Sequence, residues 1–129
     1  GLAALINGTP NYSCVAQFID CESFLSKLKS IQVDVVLMDI ALPGISGIEG
    51  VKKAIEINKN LDVLMLTIYE DSEKVFDALC AGACGYLVKK TPPSKLLEAI
   101  KEVYEGGSPM SSNIARQVIT AFKEVKETD

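Results

Sequence analysis

The sequence predicts an α/β fold, a parallel sheet doubly wound by helices, and three observations carry that reading. Val33-Asp34-Val35-Val36-Leu37-Met38-Asp39 and Leu61-Asp62-Val63-Leu64-Met65-Leu66-Thr67 are near-continuous apolar runs. Strands without alternation are buried on both faces, as in parallel sheets. Between and after them, apolar residues recur at helical spacing. Strands that alternate with helices pair in parallel through right-handed crossovers.

The elements follow in order. Leu2-Ala3-Ala4-Leu5-Ile6 reads as the tail of an amphipathic helix, stopped by Asn7-Gly8-Thr9-Pro10. Cys14-Val15-Ala16-Gln17-Phe18 is a candidate short strand. Asp20 can cap a helix to about Lys29, with Phe24, Leu25 and Leu28 on its apolar side. After the run that ends in Asp39, Pro43-Gly44 and Gly47 form a loop. Ile48, Val51 and Ile55 mark a helix to about Asn58. The run that ends in Thr67 is followed by a helix from about Ser72 to Ala81, with Val75, Phe76 and Leu79 inward. Gly85-Tyr86-Leu87-Val88-Lys89 is a further short strand. Thr91-Pro92 reads as an N-cap followed by Pro at the first helical position. Leu96, Leu97, Ile100 and Val103 form that helix's stripe, and Gly106-Gly107 stops it. Ser108–Met110 link to a last amphipathic segment marked by Ile114, Val118, Ile119 and Phe122.

Composition narrows the function. A length of 129 residues suits one domain, and 48% apolar residues are too many for disorder. No apolar run approaches a membrane span, and no secretion signal opens the chain. A net charge of −4, with Lys and Arg interspersed among acids, argues against a nucleic-acid surface here. Cysteines stand at 14, 21, 80 and 84, without a CxxC pair, and there is no His. They read as small apolar fillers in a reducing cytosol rather than as metal ligands or disulfides. A His-based triad and a phosphohistidine on this chain are excluded.

In doubly wound sheets the working residues gather at the carboxyl ends of the strands. Three successive strands end in Asp39, Thr67 and Lys89. Neighbouring strands lie about 4.8 Å apart, so the three side chains can converge on one small group.

At this point the chain resembles the receiver domain of bacterial response regulators, a flavodoxin-like, CheY-like fold. The resemblance rests on Val36-Leu37-Met38-Asp39, Pro43-Gly44 with Gly47, Thr67, Ala81-Gly82-Ala83 and Gly85-Tyr86-Leu87-Val88-Lys89. The tail Glu105-Gly106-Gly107-Ser108-Pro109-Met110-Ser111 and the helix after it resemble the NarL/FixJ (LuxR-type) branch. The resemblance implies a cytoplasmic two-component phosphoprotein that takes a phosphoryl group on Asp39 from a sensor histidine kinase and switches transcription. It implies that Thr67 binds a phosphoryl oxygen, Lys89 pairs with its charge and Tyr86 turns inward as Thr67 moves. Mg²⁺ would be held by Asp39 and the Ala41 carbonyl. The implied layout is a receiver domain over residues 1–107. Residues 108–129 would be a linker helix toward a DNA-binding helix-turn-helix, with a homodimer as one assembly. The protein would be a phosphoacceptor switch rather than an enzyme.

One departure stands out. Receivers begin with a strand that ends in an acidic pair, which holds the metal, and no such strand precedes Gly1. Asp20 and Glu22 are poor substitutes, since two strand spacings, about 10 Å, would separate them from Asp39. The expectation is weak or absent Mg²⁺ binding. A second expectation is a chain that is unstable alone or fills the gap, by a swapped segment or by closure of the 14–18 strand onto the next. Lys90, where many receivers carry Pro, matters little.

Plainer readings stand beside these. Asp39 could cap a loop, although a carboxylate that ends a buried strand is costly without a reason. Thr67 and Lys89 are ordinary strand ends, Tyr86 an ordinary core or rim residue, and Gly47, Gly82 and Gly85 turn residues. Gly106-Gly107 follow no strand and are no phosphate loop. Two other functions compete. A pseudo-receiver works as an interaction module without phosphate, and the missing acidic pair favours it. A flavin- or nucleotide-binding enzyme needs a Gly- or Ser/Thr-rich phosphate loop, and none is visible.

Overall fold

The computed structural model describes residues 1–128, with side-chain environments through Val125; Asp129 lies outside the described residues. Three parallel strands form the sheet, in the order β1 (Val35–Met38), β2 (Asp62–Thr67) and β3 (Gly85–Val88). Register pairs Met38 with Met65, and Thr67 with Val88. Helices α3 (Gly47–Ile57), α4 (Ser72–Ala81) and α5 (Pro93–Tyr104) connect or follow the strands. The central strand explains the apolar runs: Val63, Leu64 and Met65 have no solvent exposure. Two apolar clusters lie on either side of the sheet. One gathers Val51, Ala54, Val63, Met65, Val75 and Ala78; the other gathers Leu64, Leu87, Leu96, Ala99 and Val103.

Local signals account for most boundaries. Asp20 accepts a hydrogen bond from the Ser23 N–H at 2.7 Å and starts α2 (Cys21–Lys27), which tightens into a 3₁₀ turn over Leu28–Ser30. Ser46 and Asp71 cap α3 and α4 in the same way. The short α1 (Leu2–Asn7) ends at Gly8. The expected Thr91 cap is not made. Thr91 donates its hydroxyl to the Val88 carbonyl at 2.6 Å, and α5 begins at Pro93.

Cys14–Phe18 is not a strand. Among the described residues no strand lies beside it to supply the ladder that an extended segment needs, so these residues run as irregular backbone. Nor does the segment close onto β1, as one sequence expectation held. A cleft of about 830 Å³ separates the two, walled by Val15, Phe18, Val35, Leu37 and Tyr104 among others. Val35, Val36 and Leu37 are half-buried in consequence.

The chain from Ser108 onward packs back onto the domain. Pro109 accepts a hydrogen bond from the Tyr86 N–H at 3.0 Å, and Met110 bridges to Tyr86. Helix α6 (Ser112–Thr128) then packs on α4 and places Ile114 in the core with no exposure. The apolar stripe expected for this helix divides. Ile114 and Val118 face the domain, whereas Ile119 and Phe122 are exposed, because α4 covers one side of α6 only.

Candidate functional site

The carboxyl ends of the three strands bring Asp39, Thr67 and Lys89 together. Asp39 follows β1, Thr67 closes β2, and Lys89 follows β3. The Lys89 Nζ lies 2.6 Å from Asp39 Oδ2. The Lys89 N–H also donates to the Thr67 carbonyl at 2.9 Å, which fixes the end of β3 against that of β2. The other carboxylate oxygen, Oδ1, accepts the Ala41 N–H at 3.1 Å. Thr67 is fully buried, and its hydroxyl accepts the Tyr69 N–H at 3.5 Å.

Opposing effects act on the Asp39 carboxyl. Burial pushes its pKa up. Hydrogen bonds from Lys89, the Ala41 N–H and Thr67, with the Lys89 charge, outweigh burial and hold it below the ordinary 3.8. The group is anionic at neutral pH and only 17% exposed, with a cation on one oxygen and a backbone donor on the other.

Tyr86 has no exposure and already points inward, donating its hydroxyl to the Tyr69 carbonyl at 2.8 Å. Burial first, then the charges of Asp71, Asp39 and Glu70, push its hydroxyl up to about 12.

Gly47 is more than a turn residue. A Cβ there would meet the Asp39 carbonyl group, with the carbonyl carbon at 2.6 Å and the Ile40 Cα at 2.8 Å. The Gly47 N–H donates to the Ile40 carbonyl at 3.0 Å, so the start of α3 leans directly on the Asp39 backbone. Gly44, at φ +80°, faces the Glu22 carboxylate, which brings Glu22 to the Asp39 loop. Asp20 is committed to its cap.

These positions test whether the residues fit Mg²⁺. Among the described residues, no three His, Cys, Asp or Glu side chains converge on a point. Asp39 is the one carboxylate of the cluster, and both its oxygens are engaged. Mg²⁺ prefers six oxygens in a strict octahedron. The described residues alone do not supply such a set of ligands.

Of the cysteines read as apolar fillers, only Cys21 is buried; Cys14 and Cys84 are half-buried and Cys80 is exposed. All four are free thiols, and buried Cys21 packs its sulfur 3.7 Å from the Met38 sulfur.

A scan against protein-family models matches the response regulator receiver domain over residues 1–101. The chain belongs to this family. Its receiver fold is shared with a two-component response regulator of the LuxR family from Aurantimonas sp. SI85-9A1. That similarity has a TM-score of 0.84 and 31% identity, over 95% of this chain and 86% of the other. The transcriptional regulatory protein LnrK of Bacillus subtilis (strain 168) is 32% identical over 127 residues, 98% of this chain and 58% of LnrK. The response regulator UvrY of Escherichia coli (strain K12) is 36% identical over 97 residues, 75% of this chain and 44% of UvrY. The receiver chain thus spans about half the length of these curated relatives. The NarL/LuxR-type resemblance read from the sequence agrees with them. Receiver domains generally bind Mg²⁺ and are phosphorylated by histidine kinases. No described helix of this one is long and apolar enough to cross a membrane.

Sequence reasoning missed three contributors to the site's surroundings. Tyr69 acts through backbone atoms, which no residue type announces. Pro109 and Ile114 reach Tyr86 from the tail, through contacts distant in sequence.

Proposed function

We propose that Asp39 is the phosphoacceptor of a two-component switch. A carboxylate oxygen of Asp39 forms the new O–P bond as the donor's P–N bond to a kinase histidine breaks, and the imidazole leaves with the bonding pair. Thr67 donates its hydroxyl to one phosphoryl oxygen, and Lys89 transfers its ammonium from the carboxylate to the added charge. The observation that carries this reading is the 2.6 Å Lys89–Asp39 pair at the joined ends of the strands. Phosphoryl transfer asks for positioning and positive charge, and little covalent chemistry, from the protein. The chain itself is a phosphoacceptor rather than an enzyme with a separate substrate. Its setting is the cytoplasm, its upstream partner a sensor histidine kinase, and it acts on DNA through an output domain beyond this chain, as one half of a homodimer. Mg²⁺ would bind Asp39 and the Ala41 carbonyl once further oxygen ligands join them.

The test is incubation with Mg²⁺ and acetyl phosphate, followed by intact mass. It is run on this chain and on a version extended by a strand that ends in an acidic pair. The expected result is one added phosphoryl group, lost in Asp39→Asn. Equal incorporation in the Asn variant overturns the assignment. The lack of a carboxylate cluster among the described residues favours a second reading, a phosphate-independent interaction module. No incorporation in either version supports it.

A further inference from the structure

The outer edge of β1 opens onto the cleft of about 830 Å³. Among the described residues no strand pairs with that edge, so its outward N–H and C=O groups lack a ladder. The cleft is covered on both sides. Val35 and Leu37 pack with Ile100 of α5 into one apolar cluster, and Val36 packs with Phe24 of α2 into the other. Ile100 and Phe24 also line the cleft, so a segment laid beside β1 would find apolar cover above and below.

The opposite wall is fastened without help from β1. Tyr12 donates its hydroxyl to the Leu97 carbonyl of α5 at 3.0 Å. The Cys14 N–H donates to Asn7 Oδ1 at 2.8 Å. The Phe18 and Phe24 rings stand 5.7 Å apart. These ties hold the 14–18 wall off β1 and leave the gap open.

Size and chemistry select the occupant. A strand takes about 4.8 Å across, about 10 Å between covering layers and about 3.3 Å per residue, or roughly 160 Å³ per residue. The cleft therefore holds about five residues, close to the four of β1. Only an extended backbone repeats donors and acceptors at the spacing of the β1 edge.

Charge distinguishes the two ends. Cys21 Sγ lies 3.7 Å from Met38 Sδ, so the neighbouring Asp20 stands at the carboxyl end of β1 with Asp39. Glu22 reaches the same loop beside Gly44. Lys89 already pairs with Asp39, whereas Asp20 and Glu22 are in no ion pair among the described residues. At the amino end, Asp34 and Lys101 both line the cleft and offset each other. The carboxyl end therefore carries the excess negative charge.

We infer that the cleft is a docking slot for an extended apolar segment of another polypeptide, about five residues long and followed by basic residues, which joins the sheet as a fourth strand beside β1. The charge preference is the reverse of the acidic-ended strand that the family resemblance implies. Without a divalent cation, an acidic end would meet Asp20 and Glu22 as like charges.

A fluorescein-labelled, capped peptide of five Val and Ile residues ended by two lysines tests the slot, by anisotropy in EDTA with hydrogen exchange on the same mixtures. Saturable binding is expected. The β1 amides should exchange about tenfold slower at a peptide concentration about ten times its Kd. The same peptide with proline at its centre loses a ladder donor and should bind at least about tenfold more weakly. Glutamates in place of the lysines should weaken binding about tenfold, less so at high salt. Asp20→Asn keeps the helix cap and should narrow the difference between the two peptides. Equal binding of the proline peptide overturns the strand reading, as does binding without slower exchange at β1. Equal or tighter binding of the glutamate peptide overturns the assigned partner chemistry. Absence of binding overturns the slot, and β1 amides already protected in a dimeric free chain would assign the cleft to a second copy instead.

Discussion

Replacing Gly47 by Ala isolates what holds Asp39 in place. Gly47 opens α3, so Ala would gain about 1 kcal/mol of helix preference. Against that, the new Cβ would sit 2.6 Å from the Asp39 carbonyl carbon, about 0.8 Å inside the 3.4 Å at which ordinary contact begins. Overpacking costs about 1–3 kcal/mol, and the upper end applies because both neighbours are backbone and cannot rotate away. The net is about 2 kcal/mol of destabilisation. For a domain of this size it lowers the melting temperature by about 8 °C, at about 4 °C per kcal/mol. The chemical effect should be larger than the thermal one. Relief requires Asp39 or α3 to shift by much of an ångström, and a misplacement of that order costs up to about 100-fold in rate. Gly106→Ala is the control. Its φ of +95° makes Ala strained by about 1–2 kcal/mol, yet nothing lies within 4 Å of the new methyl. Both variants should melt earlier, measured by circular dichroism. Phosphorylation by acetyl phosphate should slow about 10- to 100-fold in Gly47→Ala alone. A Gly47→Ala protein with wild-type melting and wild-type phosphorylation would refute the close-approach argument.

Other outcomes follow from the same geometry. Asp39 has a lowered carboxyl pKa, so its ionised form adds stability that is full above its ordinary value of 3.8 and fades as pH falls through the lower folded value. Urea midpoints of the wild type and Asp39→Asn should therefore converge below about pH 4, and a constant gap would contradict the sign. The Tyr86 hydroxyl, raised to about 12, should appear as a late step in absorbance titration that Tyr86→Phe removes. Its stabilisation is present below the ordinary value of 10.0 and is lost as pH rises toward 12. The β1 amides that point away from β2 face the cleft and should exchange well before those of Val63–Met65; equal protection would mean that the cleft is closed in solution.

The strand ends were legible because their information is local. In a parallel sheet an apolar run stopped by a polar residue marks both the strand and its carboxyl end, and Asp39, Thr67 and Lys89 follow that rule. The helix from Ser72 to Ala81 was legible for the same reason, from Val75, Phe76 and Leu79 at helical spacing; the structure buries Val75 with Ala78 and adds the Asp71 cap. Cys14–Phe18 misled because being a strand is a property of a pair. Its residues suit an extended conformation, yet no described neighbour offers it a ladder. Thr91 misled because two acceptable roles compete for its hydroxyl, and the Val88 carbonyl takes it. Gly85 and Gly47 looked like turn residues, since sequence shows a missing side chain but not what occupies its place. The tail was the least legible part. Nothing around Pro109 states that it lies against Tyr86, and the spacing of Ile114, Val118, Ile119 and Phe122 gives a stripe without its covered length.

The balance at Asp39 also bears on how such a site can work. The positive groups that hold the carboxylate ionised also draw electron density from it and so weaken it as a nucleophile. For acyl transfer that would be a serious loss. A loose phosphoryl transition state, by contrast, demands little bond-making from the attacking oxygen and much neutralisation of the oxygens in flight. Lys89 is suited to that second demand. Its side chain is 51% exposed against 17% for Asp39, so its ammonium can follow the charge outward as the phosphoryl group arrives. Thr67 differs. It is fully buried, and moving its hydroxyl disturbs Tyr69 directly. Under the proposed phosphoacceptor role, the exposed cation would neutralise the added charge, and the buried hydroxyl would feel its arrival.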